Sequence, residues 1–250
     1  MELKRRKFQG VLNILSFNRH FYVLGGIAMV LLIASYWFFS WPAYLFWIAI
    51  AAFIYGLIMP LIVSAYVYDF SGYYSFDWLK HYQLQDGEDK LILNINAGFD
   101  ETSFILHHYF PKATLRVFDF YNPEEHTEPA IIRARKVSMV YPGTQVMHTN
   151  SIPLNDQSAD VIFLLSAAHE IRKQEEKIQF LQECRRLCKP GGQVIMVEHL
   201  RDFPNFLVFS VGFTHFFSRR IWKMAYTAAG FTSITETKFT PFMSVFNCKP

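Results

Sequence analysis

The chain carries no Asp, Glu, Lys or Arg between His20 and Tyr68. A run of this length can hold two membrane-spanning helices of about 20 residues each, and we place them near Phe21–Phe39 and Tyr44–Tyr66. The residues between the two spans are typical of a tight turn and of an interfacial aromatic belt. They are Trp37, Trp41, Pro42 and Tyr44. A signal peptide is shorter and ends in a small-residue cleavage site. The alternative is a helical hairpin buried in a soluble core, which rarely contains so long an uncharged stretch.

Basic residues in front of this run predict the orientation of the hairpin. They are Lys4, Arg5, Arg6, Lys7 and Arg19, and positive side chains collect on the cytoplasmic side of a membrane. The N-terminus is therefore expected in the cytoplasm, and two spans return the chain to that side. We divide the chain into residues 1–68, a basic segment with a transmembrane hairpin, and residues 69–250, one cytoplasmic domain. The lipid bilayer is the first expected partner.

Composition excludes several functions for the second part. A net charge of +3 is too small to indicate nucleic-acid binding. The three cysteines, Cys184, Cys188 and Cys248, show no disulfide framework and no zinc-type spacing. No metal is expected either, because the spacing of the one group of histidines and glutamates fits no known set of metal ligands. We interpret this group as a solvated, charged face. Its members are His107, His108, Glu124, Glu125, His126 and Glu128.

Beyond residue 69 short apolar runs alternate with segments of helical periodicity. The predicted strands are Leu91–Ile95, Thr114–Phe120, Val146–His148, Asp160–Leu165, Gln193–Val197, Ser233–Phe239 and Met243–Cys248. The predicted helices are Asp100–Tyr109, Pro123–Val137, Arg172–Cys188 and Ser218–Ala229. This alternation predicts an α/β fold with a doubly wound, mostly parallel sheet. The last two strands form a hairpin that places an antiparallel strand at the sheet edge.

The block LQECRRLCKPGGQVIMVEHL, from Leu181 to Leu200, is the most distinctive of these units. Lys189-Pro190 is expected to end its helix, because proline disfavours helical conformation in the residue before it. Gly191-Gly192 is expected to supply a turn that tolerates positive φ. A strand buried on both faces then follows.

Ligands of such sheets bind beyond the carboxyl ends of the strands, where the chain order reverses. Four strand exits carry polar residues here: Asn94–Asp100, Asp119–Asn122, Ser166–Glu170 and Glu198–Arg201. We therefore expect the functional site to lie along these four loops.

Several segments taken together resemble the class I S-adenosylmethionine (SAM) methyltransferases of the type 11 kind. They are LILNINAGFDET, LRVFDFYNP, IPLNDQSADVIFL and the E-x-x-R-x-C-K-P-G-G block, in that order from about Leu91 to Cys248. The strings AGFDET and VEHLRD resemble a bacterial, membrane-anchored subgroup with an N-terminal two-helix hairpin. The resemblance implies a Rossmann-like SAM-binding fold, methyl transfer as its chemistry, and the bacterial inner membrane as the location.

The resemblance also implies which residues hold the cofactor in the first loop. Asn94 stands at the family's acidic position, and Asn96, Gly98 and Asp100 stand at its three glycine positions, with Ala97 between them. Only Gly98 keeps the family's residue. Asparagine tolerates left-handed φ, so Asn96 is a partial substitute. An acid at position 100 disfavours a phosphate-bearing dinucleotide and is compatible with cationic SAM.

Three further loops complete the expected cofactor site. Asp119 ends the second predicted strand, where an acid accepts hydrogen bonds from ribose hydroxyls, although it is equally suited to cap the next helix. Phe120 and Tyr121 are expected beside the adenine. Asn150-Ser151 occupies the family's adenine-amino position, and Ser166 follows the fourth strand.

Methyl transfer from SAM is an in-line displacement in which the protein aligns the acceptor and sometimes removes a proton. The candidate bases are His169 and Glu170 after the fourth strand, and Glu198 and His199 after the fifth. His199 is the first choice because histidine titrates near neutral pH, with Glu198 orienting it or holding a cationic substrate. The alternative for each histidine is a hydrogen-bonded structural residue.

The segment RDFPNFLVFSVGFTHFFSRR is strongly aromatic. We interpret it as a hydrophobic lid or membrane-surface helix, with Arg219 and Arg220 at the interface. We interpret Asp69–Leu79 (DFSGYYSFDWL) as a companion of this segment, because the chain leaves the membrane there beside the site, and its Tyr73 and Tyr74 are expected to contact substrate. The alternative is that both segments simply pack on the domain core.

Two functions remain open on the sequence alone. The first is a membrane-anchored SAM methyltransferase acting on a hydrophobic small molecule such as a lipid, a quinone-like compound or a thiol. The second is a non-catalytic scaffold, suggested by the two missing glycines and the missing acid of the first loop. A nicotinamide dehydrogenase is disfavoured because G-x-G-x-x-G is absent.

Overall fold

Seven strands form one sheet in the computed structural model, which describes residues 5–250, so that Lys4 lies outside the described residues. The strand order is β3-β2-β1-β4-β5-β7-β6. The strands are β1 (Leu91–Asn96), β2 (Thr114–Asp119), β3 (Gln145–Val146), β4 (Ala159–Leu165), β5 (Cys188–His199), β6 (Ser233–Thr240) and β7 (Met243–Lys249). The first five pair in parallel, and β7 is antiparallel to both β5 and β6. The predicted doubly wound, mostly parallel sheet with a C-terminal antiparallel hairpin is confirmed.

Helices cover both faces of this sheet. They are α1 (Gln9–Phe17), α2 (Arg19–Phe39), α3 (Ala43–Ala65), α4 (Ser103–Tyr109), α5 (Pro129–Val137), α6 (Gln174–Leu187), α7 (Phe203–Phe209) and α8 (Arg219–Ala228). One face packs against α5, α6 and α8 through Ile131, Phe180 and Trp222. The other packs against α4 and the inner end of α3 through Leu106 and Val63.

Alternation along β5 decides which face each exit residue joins, because successive side chains of a strand point to opposite sides. Val194 and Met196 belong to the cluster on the α6 face, whereas Val197 belongs to the cluster on the α3 face. Glu198 and His199 therefore leave the same strand on opposite sides of the sheet.

The prediction of a turn at Gly191-Gly192 is wrong, because both glycines lie within strand β5. Neither glycine has a positive φ, and β5 starts already at Cys188. The register between β4 and β5 shifts between Ala159 and Val161, which absorbs the extra residues as a bulge. A Cβ at Gly192 would lie 2.8 Å from the carbonyl oxygen of Ala159. Glycine is needed here for close backbone approach rather than for backbone conformation.

Other boundaries differ from the predictions by a few residues. The helix predicted from Asp100 begins at Ser103, and the helix predicted from Pro123 begins at Pro129 after a turn. The third strand is shorter than expected and ends at Val146. These starts are later because the polar residues before them bond to backbone N–H groups in turns instead of continuing the helix.

Two helices, α2 and the continuous segment Ala43–Phe70, are long and apolar enough to cross a membrane by length and composition. The second contains Pro60 and ends in a π-helical turn, Tyr66–Phe70. Few of their side chains are buried inside the protein. Such exposure is unlike the buried hairpin considered as an alternative, whose apolar side chains would be covered by the protein.

The helix α1 was not predicted, because it is short and has no side-chain cap to signal its start. It lies across the end of α3: the backbone N–H groups of Gly10 and Val11 donate to the carboxylate of Asp69, at 2.7 and 3.0 Å. A Cβ at Gly10 would collide with Tyr68. This helix joins the apolar hairpin to the domain, so the boundary proposed at residues 68 and 69 separates segments that pack together.

Candidate functional site

The carboxyl ends of β1, β2, β4 and β5 lie side by side, because these strands are parallel neighbours in the sheet. Asn96 at the end of β1 pairs in register with Asp119 at the end of β2. The four polar exits predicted from the sequence therefore line one edge. This edge is where open α/β sheets bind their ligands.

The loop after β1 is held by its own side chains. Asn94 Nδ2 donates to Thr102 Oγ1 and Ser103 Oγ, at 3.0 and 2.8 Å. Asp100 Oδ1 accepts from the backbone N–H groups of Thr102 and Ser103, which satisfies two donors at the start of α4. Asn96 Oδ1 accepts from Gly98 N at 2.8 Å, where Gly98 has φ +84°.

This network leaves specific atoms of the loop without partners. They are Asn94 Oδ1, Asn96 Nδ2 and Asp100 Oδ2, all buried. Buried polar atoms are nearly always hydrogen-bonded in native proteins, so an unpaired set in one loop suits a ligand. Two acceptors and one amide donor match an amino-acid group, whose ammonium donates and whose carboxylate accepts.

Arg135 of α5 lies on the same edge and was not predicted. Its Nη1 donates to Asp119 Oδ2 at 2.8 Å, and its guanidinium stacks over the ring of Tyr121. A Cβ at Gly98 would collide with this guanidinium. The Arg135 side chain is 34% exposed. The sequence holds no signal for this contact, since a basic residue on a short amphipathic helix usually lies in solvent.

The remaining predicted cofactor residues are divided between the edge and the core. Ala97 is buried in the core beneath the loop, and Phe120 packs on Phe180, with ring centroids 5.5 Å apart. The ring at the edge is therefore that of Tyr121 rather than that of Phe120. Asn150 and Ser151 are exposed, on a turn that follows Met147, whose N–H donates to the carbonyl of Asp119.

Glu198 pairs with His169, not with His199 as the sequence suggested. Its Oε2 lies 2.7 Å from His169 Nδ1, and its Oε1 accepts from the His169 backbone N–H at 3.2 Å. His169 Nε2 lies 3.4 Å from Glu170 Oε1. Burial opposes protonation of the ring, but the two carboxylates outweigh it and raise the pKa of His169 to about 10.

His199 lies on the opposite face and is enclosed. Its Nε2 lies 3.0 Å from Tyr68 Oη, and its Nδ1 lies 3.0 Å from the carbonyl of Phe242. The carbonyl can only accept, so Nδ1 donates and Nε2 accepts from the tyrosine. The ring stacks on Phe216, and burial lowers the pKa of His199 to about 4. This arrangement matches the structural alternative for His199 more closely than a general base.

Ser166 and the two tyrosines complete the edge on this face. Ser166 adopts φ +52°, a strained conformation for a residue with a side chain, and its Oγ lies 3.2 Å from Tyr73 Oη. Tyr73 is buried, and Tyr74 Oη donates to Glu101 at 2.6 Å. Both tyrosines therefore pack within the protein, as the alternative held, and not in an open acceptor site.

The first loop is tied to α1 through Glu101. Its carboxylate accepts from Gln9 Nε2 at 2.7 Å and from Asn13 Nδ2 at 3.1 Å, and it pairs with Arg5 at 2.8 Å. Arg5 therefore contacts the protein in this structure. Because α1 precedes α2 directly, the first loop is connected to the apolar hairpin through a few side chains.

The aromatic segment after β5 contains the exposed side chains of α7. Phe203, Phe206 and Leu207 are largely exposed, and Tyr55 Oη of α3 donates to the carbonyl of Leu207 at 2.9 Å. The apolar side of α7 thus lies beside an apolar helix. Asp202 caps α7 by accepting from Asn205 N, which fixes where the helix begins.

Residues 121–196 match the sequence model of the family described as a methyltransferase domain. No curated protein matches the chain in sequence. Among solved structures, the PH0226 protein of Pyrococcus horikoshii is 15% identical, with a TM-score of 0.50 over 69% of this chain and 86% of that chain. Human N-acetylserotonin methyltransferase, solved with SAM, is 16% identical, with a TM-score of 0.50 over 84% of this chain and 60% of that chain. A SAM-dependent methyltransferase from Aquifex aeolicus is 18% identical, with a TM-score of 0.49 over 69% and 87% of the two chains.

The strand order and the matched segment define the class of this protein: it has the fold of the SAM-dependent methyltransferases. The methyltransferase resemblance predicted from the KPGG block is confirmed, and the matched segment includes most of that block. S-adenosylmethionine is the cofactor that this domain family indicates.

Proposed function

We propose that this protein is a SAM-dependent methyltransferase, held at a bacterial inner membrane by its apolar hairpin, with the catalytic domain in the cytoplasm. Its acceptor is a hydrophobic or membrane-dissolved small molecule. The observation that carries the proposal is the contact between His199, at the exit of β5, and Tyr68, at the inner end of the long apolar helix. The ligand edge of the sheet thereby lies where the hairpin enters the domain.

The first loop and the β2 exit fit the proposed cofactor. Asn94 Oδ1, Asn96 Nδ2 and Asp100 Oδ2 would receive its amino-acid end, and Asp119 would accept from its ribose hydroxyls. Asp119 accepts a hydrogen bond from Tyr121 N with Oδ1 and from Arg135 Nη1 with Oδ2. Binding therefore requires Arg135 to release Asp119, and its partial exposure leaves it a path outward.

Chemistry on the acceptor side falls to His169 and Glu198. When bound, the cofactor supplies an electrophilic methyl group. Glu198 orients the His169 ring, whose raised pKa keeps it protonated near pH 7, and the pair lies at the exits of β4 and β5, where the ring can donate a hydrogen bond to the acceptor. His199 acts as a positioning residue that locks Tyr68 and the end of α3 to the sheet.

Access for an apolar acceptor is supported by α7. Its exposed side chains lie beside α3, so an acceptor dissolved in the bilayer would reach the edge without crossing water. Arg219 and Arg220 follow the aromatic segment and suit the headgroup region. The inner-membrane location and the cytoplasmic orientation rest on the basic N-terminus and on the family resemblance.

Transfer of a radiolabelled methyl group from SAM into bacterial lipid extract tests the proposal, with detergent-solubilised full-length protein. Wild type is expected to label an extractable product. Glu198→Gln should retain SAM binding and lose transfer by about 100-fold or more, which is the usual size of a general acid–base contribution. Lys136→Ala, an exposed change on α5, is the matched control. Absence of both labelling and SAM binding would contradict the proposal.

The second candidate is a non-catalytic scaffold that uses this fold for interactions. The observation that favours it is the ion pair of Arg135 and Asp119, which fills the expected ribose position with a protein side chain. The scaffold predicts no SAM binding by wild type or by Arg135→Ala. Labelling that is lost in Asp119→Ala would exclude it.

A further inference from the structure

Two histidines and a glutamate from separate parts of the chain meet beside Glu198. His169 and Glu170 lie on a short 3₁₀ turn after β4, and His215 ends the 3₁₀ helix Ser210–His215 that follows α7. One nitrogen or oxygen atom from each of the three side chains lies within 4.8 Å of the others. The sequence did not predict this group, because His215 is distant from the other two along the chain.

We propose that His169, Glu170 and His215 form a binding site for one divalent transition-metal cation of the zinc type. Two imidazoles and one carboxylate are a donor set found in zinc sites that keep a further position open. With bonds of about 2.0–2.2 Å, tetrahedral ligand atoms lie roughly 3.3 Å apart. The separation of 3.4 Å between His169 Nε2 and Glu170 Oε1 has this size.

Both histidines have a carboxylate behind the ring. His169 Nδ1 lies 2.7 Å from Glu198 Oε2, and His215 Nδ1 lies 3.3 Å from Glu128 Oε2. Metal-binding histidines usually donate their second N–H to a carboxylate, which fixes the tautomer and orients the ring. In both residues Nε2 remains as the ligand atom, and cation binding replaces the proton there.

Arg172 holds the two histidine-bearing turns together. Its Nη1 donates to the backbone carbonyls of His169 and His215, at 3.1 and 2.7 Å. These bonds fix the spacing of the rings without using any ligand atom. The positive charge of Arg172 is outweighed by three carboxylates, those of Glu128, Glu170 and Glu198.

Three protein ligands leave a position for an acceptor, and this part of the inference rests on the proposed function. A thiol or hydroxyl acceptor would bind the cation as its anion, with its proton released to water. The lone pair of that sulfur or oxygen then forms the bond to the methyl carbon while the sulfonium bond of SAM breaks. The products are the methylated acceptor and S-adenosylhomocysteine. A thiol or hydroxyl compound is thus the favoured acceptor class.

Cobalt titration of the tag-free, detergent-solubilised full chain tests the site without SAM. We expect one Co²⁺ per chain, a visible absorption spectrum typical of low coordination number, and displacement by Zn²⁺. His215→Ala and the conservative Glu170→Gln should each weaken binding by tenfold or more, since even a change in a supporting partner costs about 10- to 100-fold. His107→Ala, an exposed histidine on α4, should bind like wild type.

Equal Co²⁺ affinity in wild type, His215→Ala and Glu170→Gln would overturn the proposal, as would less than a stoichiometric amount bound by wild type. Circular dichroism of each variant separates loss of the site from loss of the fold. Because the titration contains no SAM, a positive result stands even if methyl transfer is never found. A negative result leaves the methyltransferase proposal intact.

Discussion

Arg135 Nη1 donates to Asp119 Oδ2 at 2.8 Å, and the same guanidinium lies over Gly98. Asp119 is the residue expected to accept from the ribose, and Gly98 is the one glycine that the first loop retains. In the proposed function, the guanidinium of Arg135 and the ribose hydroxyls of SAM would compete for the carboxylate of Asp119. This competition would make SAM affinity depend on a residue that no sequence motif includes.

Removing Arg135 is expected to strengthen SAM binding. Arg135→Ala frees Asp119 and removes a positive charge from the site, so the dissociation constant should fall several-fold. Asp119→Ala should raise it by about 10- to 100-fold, since a hydrogen bond to a charged group contributes about 1.5–3 kcal/mol. Isothermal titration calorimetry measures both, with Lys136→Ala as the control. Weaker binding in Arg135→Ala would mean that the arginine contacts the cofactor instead of competing with it.

His199 is expected to make the fold sensitive to acid. Its pKa is about 4 in the folded protein and about 6.5 when unfolded. The unfolded chain therefore binds more protons between these values, and stability is lost as pH falls from 6.5 toward 4, by up to about 3 kcal/mol. Thermal unfolding of wild type and His199→Gln at pH 7.5 and pH 5 measures the effect. The variant should be less stable than wild type at pH 7.5 and should lose less stability when the pH falls to 5. Equal losses of stability in both proteins would refute the assignment of the acid sensitivity to His199.

Lys177 is expected to destabilise the fold near neutral pH. Its ammonium is buried without a hydrogen-bond partner, 3.1 Å from the ring centroid of Phe217. Burial lowers the pKa of Lys177 to about 8, so the cost is present below pH 8 and disappears as pH rises to the unfolded value near 10.5. Lys177→Met should raise the free energy of unfolding at pH 7 by roughly 1–3 kcal/mol, and therefore the melting temperature. The gain should be smaller at pH 10. A lower melting temperature at pH 7 would show that the ring contact outweighs desolvation.

The exposed face of α7 is expected to serve an apolar acceptor. Replacing Phe203 and Phe206 together by serine should lower the rate of label transfer at low extract concentration, while the SAM dissociation constant stays unchanged. Met224→Ser alters an exposed apolar residue on α8 and serves as the control. If the double variant and the control behave alike, the acceptor does not approach along α7.

Much of the fold could be predicted from local patterns. The β-branched runs and the KPGG block located the strands, since strand burial depends on residues that are neighbours in sequence. The pairing at the site could not be predicted in this way. Strand alternation sends Glu198 to His169 and His199 to Tyr68, and the adjacency of Glu198 and His199 in sequence suggested the opposite.

Long-range side-chain contacts account for the other omissions. Arg135 and His215 reach the edge from α5 and from the segment after α7, and neither belongs to a motif with a fixed spacing. The helix α1 depends on Asp69 and Glu101 for its position, so its own residues gave no signal. The fold could be predicted from the periodicity of apolar residues, whereas the site depends on which loops lie next to each other in the folded chain.

A structure determined with S-adenosylhomocysteine tests the central claim most directly. We predict that Asp119 accepts from the ribose hydroxyls, that the amino-acid end lies against Asn94, Asn96 and Asp100, and that Arg135 has moved away from Asp119. An intact Arg135–Asp119 ion pair, with no ligand at the ends of β1 and β2 under saturating conditions, would contradict the account.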